Sequence, residues 1–434
     1  MDREEQLRAA DKRHLWHPFT QMRGWIESDE DPLILDRGDG PWLFDLDGNR
    51  YFDGNSSIWT NIHGHCHPKI VEAIQGQVAK LDHCSALGFS NESAIRLAEK
   101  LVEVAPGETL SRVFLSDDGS TAIECACKAA VQFRQLTDSP ERDTFLAFDG
   151  AYHGDTIGAA SLGRIGAFND RFASTGYRVR HVADYSEVEA LEQVERDRIN
   201  AVVIEPLIRG AGGMKTWPTG MLRKLREWCD ETGSLLILDE VMTGFGRTGR
   251  LFACEHENVV PDFLCLAKGL TGGTLPLAAT LTTEAVFEAF LGEYEELKTF
   301  FYGHSYCGNP IACAAALANL EIFEEDKVLD GVPAKTAALG DALSAGRTVC
   351  PYWGQIRQVG LIAGIDLQSP DGSPLDWREE TGARVCRAAR KHGLLTRPVR
   401  DTLTLMPPLC ASEGQIEEAA EALRLATLEV LGEA

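Results

Sequence analysis

Between about residue 110 and residue 285, the chain alternates apolar segments of strand length with longer segments of helical period. This alternation is typical of a mostly parallel sheet with helices on both faces, because each parallel connection needs a crossover. The pattern predicts seven strands, at residues 112–116, 144–148, 178–182, 201–205, 235–239, 263–267 and 277–281. We therefore expect an α/β fold whose large domain contains a mostly parallel seven-stranded sheet.

The segments on either side of this region have a different character. Residues 33–54 have the pattern of β-hairpins, with a turn at residues 47–49. A calcium loop is a weaker interpretation, because the glycine comes too early and Ser56 stands at position 12 of a loop that begins at Asp45, where glutamate is needed. Residues 310–326 predict a helix, and an α+β pattern follows. We predict a large domain at residues 66–330 and a smaller α+β domain formed by residues 1–65 and 331–434.

Charge and composition exclude several classes of function. The 434 residues include 42 Lys and Arg against 66 Asp and Glu, a formal net charge of −24, which opposes binding to a phosphate backbone. Neither an apolar run of membrane-spanning length nor a signal peptide is evident. We expect a cytoplasmic protein with no nucleic-acid or membrane partner. Its twelve cysteines should be reduced, and four should be buried, namely Cys125, Cys127, Cys265 and Cys313.

Two of the predicted strands end at a charged residue. One apolar strand ends in Asp239, and the next is followed at once by Lys268. Burying an ammonium group costs several kcal/mol unless the group is paired, neutralised or covalently consumed, as in a Schiff base with a carbonyl cofactor. Because the carboxyl ends of neighbouring parallel strands meet at one crevice, both residues should contact the same bound molecule.

This pair predicts the cofactor. A strand-end aspartate on its own is better explained as the cap of the following loop. An acid beside a pyridine nitrogen, together with a lysine on an aldehyde, is the combination that pyridoxal phosphate requires. Asp239 and Lys268 therefore predict pyridoxal 5′-phosphate as the cofactor.

Residues near two other strand ends could complete such a site. Gly119, Ser120 and Thr121 lie where a strand turns into a helix, and free amides there could bind a phosphate, although simple capping is the more ordinary interpretation. Thr121 and Glu124 have the spacing of a capping box. The next strand leads to Tyr152, His153 and Asp155, where an aromatic ring could stack on a heterocycle or belong to the core.

Two further clusters are less informative. A zinc site at residues 63–67 is disfavoured, because alternate side chains of an extended segment point to opposite sides and no second ligand cluster appears. The glycine-rich segment at residues 244–250 lacks the lysine of a phosphate loop. Arg247 and Arg250 are interpreted as solvated charges, or one of them as a guide for an anionic substrate.

The chain resembles the class III aminotransferases over nearly its whole length. The resemblance is carried by residues 235–249, by Lys268 with Gly269, and by residues 308–322. It implies a fold-type-I pyridoxal-phosphate-dependent transferase that works on a small-molecule amino donor and a keto acceptor. It also implies a homodimer with shared active sites and no metal.

The resemblance carries a role to particular residues. Lys268 matches the Schiff-base lysine, and Asp239 matches the partner of the pyridine nitrogen. Other cofactor contacts are implied for Gly119, Ser120, Tyr152, His153 and Val241, and for Ser305 from the neighbouring subunit. Substrate contacts are implied for Trp59, Phe19, Ile58 and Tyr152, with Arg397 holding the substrate carboxylate.

Residues 14–22, 150–159, 303–310 and 397–409 resemble a narrower branch of the class, which makes 7,8-diaminononanoate from 8-amino-7-oxononanoate in biotin biosynthesis. Many members of that branch have Tyr at Phe19 and Trp at Ile58, so substrate contacts there differ. Ala211 stands where glutamate-using relatives have an acid. S-adenosylmethionine or lysine is therefore the expected donor, and segments 56–65 and 297–306 are more similar to lysine-using members. The alternatives are another ω-aminotransferase or aminomutase, and a non-catalytic interaction protein on the same scaffold.

Overall fold

The computed structural model describes residues 3–28, 32–172 and 174–432. Its strands are β1 (Leu35–Asp39), β2 (Trp42–Asp45), β3 (Arg50–Asp53), β4 (Leu110–Ser116), β5 (Thr144–Phe148), β6 (Arg178–Val182), β7 (Ile199–Ile204), β8 (Ile208–Arg209), β9 (Lys215–Thr216), β10 (Leu235–Asp239), β11 (Phe263–Leu266), β12 (Ala278–Thr283), β13 (Trp353–Val359), β14 (Ile362–Leu367), β15 (Leu394–Leu395) and β16 (Thr402–Leu405).

Seven of these strands form the central sheet, in the order β4-β12-β11-β10-β7-β5-β6. The four pairs from β11 to β6 are parallel, whereas β12 pairs antiparallel with both β11 and β4. The predicted seven-stranded, mostly parallel sheet is therefore confirmed. β5, β6 and β10 have the predicted bounds, and the other four differ by one or two residues. β4 begins at Leu110, earlier than predicted, because Leu110 pairs with Thr283 of β12.

Alternate residues of the central strands enter two different cores. Leu236 and Leu238 belong to the core on one face of the sheet, while Leu235 and Ile237 belong to the core on the other face. A strand buried on both faces has no room for a polar side chain along its length. In β7, β10 and β11 the charged residues Glu205, Asp239 and Lys268 therefore come at or just after the strand ends.

Helices cover both faces of the sheet and form much of the remaining chain. The predicted helix at residues 310–326 is confirmed as Pro310–Glu325. The other α-helices are Arg3–His14, Met22–Glu27, Pro68–Lys80, Glu92–Val104, Gly119–Leu136, Ile157–Leu162, Gly166–Asn169, Tyr185–Glu189, Gln193–Arg196, Met221–Thr232, Glu284–Glu288, Val332–Val349, Thr381–Ala388 and Glu413–Leu431. No helix among the described residues has the combined length and apolar character needed to cross a bilayer.

A smaller sheet joins the two ends of the chain. β1, β2 and β3 form the predicted antiparallel hairpins, and β15 pairs with β3 in parallel. At the turn, the Asp45 carboxylate accepts hydrogen bonds from the amides of Asp47 and Asn49 at 3.1 and 2.8 Å, as in a polar turn cap. The exact division into two domains stays a prediction.

All twelve cysteines are free. The four that were predicted to be buried, Cys125, Cys127, Cys265 and Cys313, are no more than 2% exposed. These small thiols fill core positions on helices and strands, as the sequence indicated.

After β3 the backbone makes an unusual turn. Ser56, Ser57, Ile58 and Trp59 have φ angles of 46°, 48°, 64° and 69°, so four consecutive L-residues are left-handed. Such a conformation costs roughly 1–2 kcal/mol per residue, because Cβ crowds the following carbonyl oxygen. We call residues 56–59 the left-handed turn. Polarity patterns did not predict it, since none of the four residues is glycine.

The loop that follows Lys268 packs tightly against the residue after this turn. Gly273 has φ +84°, and a Cβ added to it would lie 2.5 Å from the carbonyl carbon of Thr60. A side chain at this position would push two backbone segments apart. Glycine therefore allows the loop to approach the left-handed turn closely.

Gly273→Ala should lower the free energy of unfolding by about 2–4 kcal/mol, because both the φ angle and the space oppose a Cβ. The matched control is Gly249→Ala, where φ is +95° but no atom lies within 4 Å of the added Cβ. The control should cost only about 1–2 kcal/mol. Equal unfolding midpoints in a urea titration of the two variants would contradict the close approach.

Candidate active site

A cavity of ≈ 420 Å³ lies at the carboxyl edge of the central sheet. The loops after several strands contribute to its wall, as expected for an open α/β sheet. Seven of the residues predicted from the sequence line it, namely Gly119, Ser120, Tyr152, His153, Asp239, Val241 and Lys268. Trp59, which was predicted to contact the substrate, lines the same cavity.

Lys268 projects its amine into this cavity. It begins a short 3-10 turn two residues after β11 ends, and its φ angle is 46°. The Nζ atom lies 4.7 Å from the centre of the Trp59 ring and has no hydrogen-bond partner among the described residues. Burial lowers the pKa of Lys268 to about 8, although the charges of Asp239 and Glu205 oppose this shift. Near physiological pH the neutral, nucleophilic form of this amine is therefore much more populated than in an ordinary lysine, although the ammonium form still predominates.

Asp239 ends β10 next to this amine and is held by two hydrogen bonds. The amide of Val241 donates to Asp239 Oδ1 at 3.1 Å, and His153 Nδ1 lies 2.7 Å from Asp239 Oδ2. Because a carboxylate only accepts, the imidazole donates at Nδ1. His153 Nε2 is buried and has no partner among the described residues. The carboxylate keeps acceptor capacity for a further N–H in the cavity.

The start of helix Gly119–Leu136 forms another wall. Asp118 is the N-cap, and its side chain accepts from the amide of Thr121 at 2.8 Å. The capping box that was predicted for Thr121 and Glu124 is therefore wrong, because the N-cap is Asp118 and the helix begins three residues earlier than that prediction required. A Cβ at Gly119 would lie 2.7 Å from a methyl group of Val241, so glycine is needed at this contact.

Glu124 has a different task from the predicted one. Its carboxylate accepts from the Thr156 hydroxyl at 2.6 Å and from the amides of Gly158 and Ala159 at 2.9 and 3.2 Å. It thus binds the start of the next helix and holds the loop that contains the cavity residues Tyr152 and His153.

Tyr152 is attached to the site by its backbone and by its hydroxyl. The phenol donates to Asp155, and burial together with this carboxylate raises the pKa of Tyr152. The amide of Tyr152 donates to Glu205 at 3.0 Å. The amide of Asp155 donates to the Ser120 hydroxyl at 3.1 Å, which ties this loop to the helix start.

Glu205 is a cavity residue that the sequence interpretation missed. It accepts a second backbone bond, from Gly210 at 2.8 Å, and burial raises its pKa to about 7. It follows β7 at the same edge as Asp239 and Lys268. Its place at the end of a predicted strand was the signal that could have identified it.

The remaining predicted site residues lie apart from this cavity in the single chain. Phe19 and Arg397 line a second cavity of ≈ 730 Å³, and Arg397 Nη2 donates to the Phe19 carbonyl at 3.0 Å. Ile58 is 45% exposed. Ser305 is also exposed, on the segment that precedes helix Pro310–Glu325.

Two uncertain motifs are resolved by their surroundings. His65 Nε2 lies 3.0 Å from the Asp53 carboxylate, whereas the His63 ring packs on Phe323, so these two side chains do not share a ligand site. The interpretation of Arg247 as a solvated or substrate-guiding charge is wrong, because its side chain is completely buried. Arg250 is exposed.

Comparison with known proteins agrees with this geometry. A sequence model of the family described as aminotransferase class-III matches residues 26–427. The chain is 44% identical to the adenosylmethionine-8-amino-7-oxononanoate aminotransferase of Geobacter sulfurreducens, over 98% of both proteins. The crystal structure of the adenosylmethionine-8-amino-7-oxononanoate aminotransferase of Methanocaldococcus jannaschii is similar, with TM-score 0.94 and 38% identity over 98% of this chain and 99% of that one.

A structure with a more distant sequence has the same fold. An amine transaminase from an uncultivated Pseudomonas species, crystallised in its PLP-bound form, matches with TM-score 0.89 and 30% identity. The match covers 96% of this chain and 99% of that one.

The lowered pKa of Lys268 can be measured directly. We expect acetic anhydride to label the cofactor-free protein at Lys268 with a midpoint near pH 8, because burial favours the neutral amine, which is the reactive form. Exposed lysines in the same sample are internal references, with midpoints near the ordinary value of about 10.4. Peptide mass spectrometry across a pH series measures the labelling midpoints of Lys268 and of the exposed lysines. A midpoint for Lys268 equal to that of the references would show that its amine is fully solvated.

Proposed function

Because the chain belongs to the class III aminotransferases, we propose that it transfers an amino group to 8-amino-7-oxononanoate and forms 7,8-diaminononanoate, a step of biotin biosynthesis. The two relatives named above from Geobacter and Methanocaldococcus support this acceptor. The structural observation that carries the proposal is the unpaired amine of Lys268 beside Asp239 in one cavity.

The cofactor is pyridoxal 5′-phosphate, and the residues of the cavity fit it. Lys268 offers a neutral amine for covalent attachment of an aldehyde, and Asp239 retains acceptor capacity for a ring N–H. The buried Nε2 of His153 lacks a partner in the described structure, which is expected if a bound group completes the site. When bound, this cofactor supplies an electron-accepting ring and carries the amino group between donor and acceptor.

Lys268 and Asp239 have complementary proton tasks. The Lys268 amine removes a proton from the amine-bearing carbon of the donor and later delivers one to the acceptor carbon. A pKa near 8 suits a group that must both take and give a proton near neutral pH. Asp239, oriented by His153 and the Val241 amide, holds a proton on the ring nitrogen.

Other cavity residues bind and orient. Val241, Tyr152 and His153 line the cavity and would hold the ring between them. Gly119 and Ser120 bind the phosphate, since backbone amides at the start of an 18-residue helix point toward an anion.

The acceptor is a long aliphatic acid, which fits an aromatic wall with an arginine beyond it. Trp59 covers Lys268, and Phe19 with Arg397 lies in the second cavity. We propose that Arg397 exchanges its bond to the Phe19 carbonyl for a bidentate pair with the acceptor carboxylate. We propose that Ile58, which is exposed in the single chain, adds an apolar surface to this pocket.

We propose that two copies of the chain share their active sites, with Ser305 of one subunit contacting the phosphate bound by the other. Ser305 is exposed in the single chain. Large apolar residues are exposed close to it in the chain, namely Tyr294, Phe301 and Tyr306, and two more, Leu87 and Phe89, are exposed on the segment before helix Glu92–Val104. Apolar exposure of this extent is typical of an interface.

The cytoplasm is the proposed compartment, and the twelve free cysteines suit its reducing conditions.

The proposed reaction can be tested with a panel of amino donors. With 8-amino-7-oxononanoate as acceptor, mass spectrometry should detect 7,8-diaminononanoate when S-adenosylmethionine or lysine is supplied. Lys268→Ala should lower the rate at least about 10³-fold, because it removes both the covalent anchor and the base. Lys224→Ala, an exposed lysine, is the control and should be fully active. Turnover of ornithine, 4-aminobutyrate or glutamate-1-semialdehyde instead would assign the chain to a different aminotransferase.

Arg397→Leu should raise the KM for 8-amino-7-oxononanoate about 10–100-fold with little change in kcat, because a binding contact is lost and the reacting atoms are untouched. Arg400→Leu removes the same charge from the same cavity and is the control. Steady-state kinetics in the acceptor measures both. An equal rise in KM for the two variants would indicate a general effect of charge and would refute a specific role for Arg397.

Mixed dimers test the shared active site. Lys268→Ala and Ser305→Ala homodimers should each be impaired, the latter mainly in cofactor affinity. After subunit exchange, a mixed dimer has one site that contains both natural residues, so an equal mixture should regain about a quarter of the natural activity. Activity that never exceeds the mean of the two separate variants would show that Ser305 serves its own subunit.

A further inference from the structure

The left-handed turn connects the small sheet to the catalytic cavity. Its last residue, Trp59, is 9% exposed, and its ring lies over the Lys268 amine. Four successive residues with positive φ persist only where surrounding groups hold them. The groups that hold this turn therefore decide where the Trp59 ring lies.

One end of the turn is held by Asp53. Its carboxylate accepts from the Ser57 amide at 2.9 Å and from the Ser57 hydroxyl at 2.8 Å. The indole of Trp59 donates to the side-chain oxygen of Asn55 at 2.9 Å. These contacts come from residues just before the turn and cannot attach it to the large domain.

Arg247 supplies that attachment. Its Nη1 donates to the Ser56 hydroxyl at 3.1 Å and to the Pro407 carbonyl at 2.9 Å, and its Nη2 donates to the Asn61 carbonyl at 2.6 Å. The guanidinium thus bonds residues just within and just after the turn, together with the segment that follows β16. Arg247 itself lies eight residues after Asp239, on the loop that leaves the central sheet.

The Arg247 cation forms hydrogen bonds with hydroxyl and carbonyl oxygens and, among the described residues, with no carboxylate. Burial lowers its pKa to about 10, although the charge of Asp53 opposes this shift, so Arg247 remains protonated at neutral pH. No carboxylate within the described structure forms a direct ion pair with it. A buried cation whose partners are carbonyl and hydroxyl oxygens is costly for a purely structural position. A guanidinium presents five N–H donors in a rigid plane and so matches several fixed acceptors, whereas the three donors of a lysine diverge from a single nitrogen atom.

We propose that Arg247 is a positioning residue that fixes the left-handed turn, and with it the Trp59 ring, over the catalytic lysine. The inference rests on the proposed function only in taking Trp59 as a wall of the acceptor pocket. Arg247 does not line the catalytic cavity, so it acts through the turn, and its charge adds only a minor contribution to the lowered pKa of Lys268.

The same segment links the turn to Arg397. The Ser56 hydroxyl donates to the Met406 carbonyl at 2.6 Å, and the Thr404 hydroxyl donates to the Arg397 carbonyl at 2.6 Å. Through Pro407, Arg247 holds the chain just beyond these two residues. It therefore positions the aromatic wall through the left-handed turn, and it supports the end of β16, next to the arginine of the pocket.

The test uses the enzyme with bound pyridoxal phosphate, labelled with 5-fluorotryptophan. The chain has eight tryptophans, and Trp59→Phe identifies the resonance of Trp59. In Arg247→Met the Trp59 resonance should move or broaden, while the other seven resonances stay in place. The KM for the acceptor should rise about 10-fold, and the affinity for the cofactor should stay within about twofold of the natural value. Arg247→Lys should lie between the natural protein and Arg247→Met. Arg250→Met, on the same loop but exposed, should match the natural protein.

Ser56→Ala keeps the test decisive if Arg247→Met does not fold. This variant removes one hydrogen-bond acceptor of the Arg247 guanidinium, so it should perturb the Trp59 resonance less strongly than Arg247→Met does. An unchanged Trp59 resonance in a folded variant overturns the inference, as does an equal disturbance of all eight. Failure of the proposed function has a different signature, because the natural protein would then not turn over 8-amino-7-oxononanoate, whatever the resonances show.

Discussion

The site depends on where a buried parallel sheet can place polar groups. The interior strands β7, β10 and β11 are buried between two apolar cores, so their charged side chains come where the strands end. Asp239, Glu205 and Lys268 lie at or just after the ends of neighbouring strands, on one edge. Their convergence follows from the parallel direction of the strands, and it produces the cavity in which an amine with a lowered pKa faces a carboxylate.

Burial and charge act against each other in this cavity, and burial is the stronger influence on Lys268. The carboxylates of Asp239 and Glu205 favour the ammonium form, yet desolvation brings the pKa down to about 8. The same desolvation raises the pKa of Glu205 to about 7. Asp239 is stabilised differently, by hydrogen bonds from His153 and from a backbone amide. The protein thus keeps one carboxylate oriented by donors and one amine available as a nucleophile.

Backbone strain has a place in this arrangement. The left-handed turn is unfavourable in isolation, and its cost is offset by the hydrogen bonds that Asp53 accepts from Ser57 and those that Arg247 donates to Ser56 and Asn61. The turn carries Trp59 to the Lys268 amine, and Gly273 permits the lysine loop to approach it. The strained turn, the buried Arg247 cation and Gly273 therefore all influence where the Trp59 ring lies relative to the Lys268 amine.

Local pattern was enough to predict the seven strands, the hairpins and the helix near residue 310, because apolar periodicity is a local property. It also predicted that Asp239 and Lys268 lie in one crevice, because the direction of parallel strands brings their carboxyl ends together. Membership of the aminotransferase class also followed from motifs. The role of Arg247 and the left-handed turn could not be predicted, since both depend on contacts between residues about 190 positions apart. The start of helix Gly119–Leu136 was mistaken because two capping patterns overlap, and only packing against the next loop assigns Glu124 to that loop. Sequence supplies the chemical groups at the strand ends, whereas long-range packing decides which of them face one another and how their protons are held.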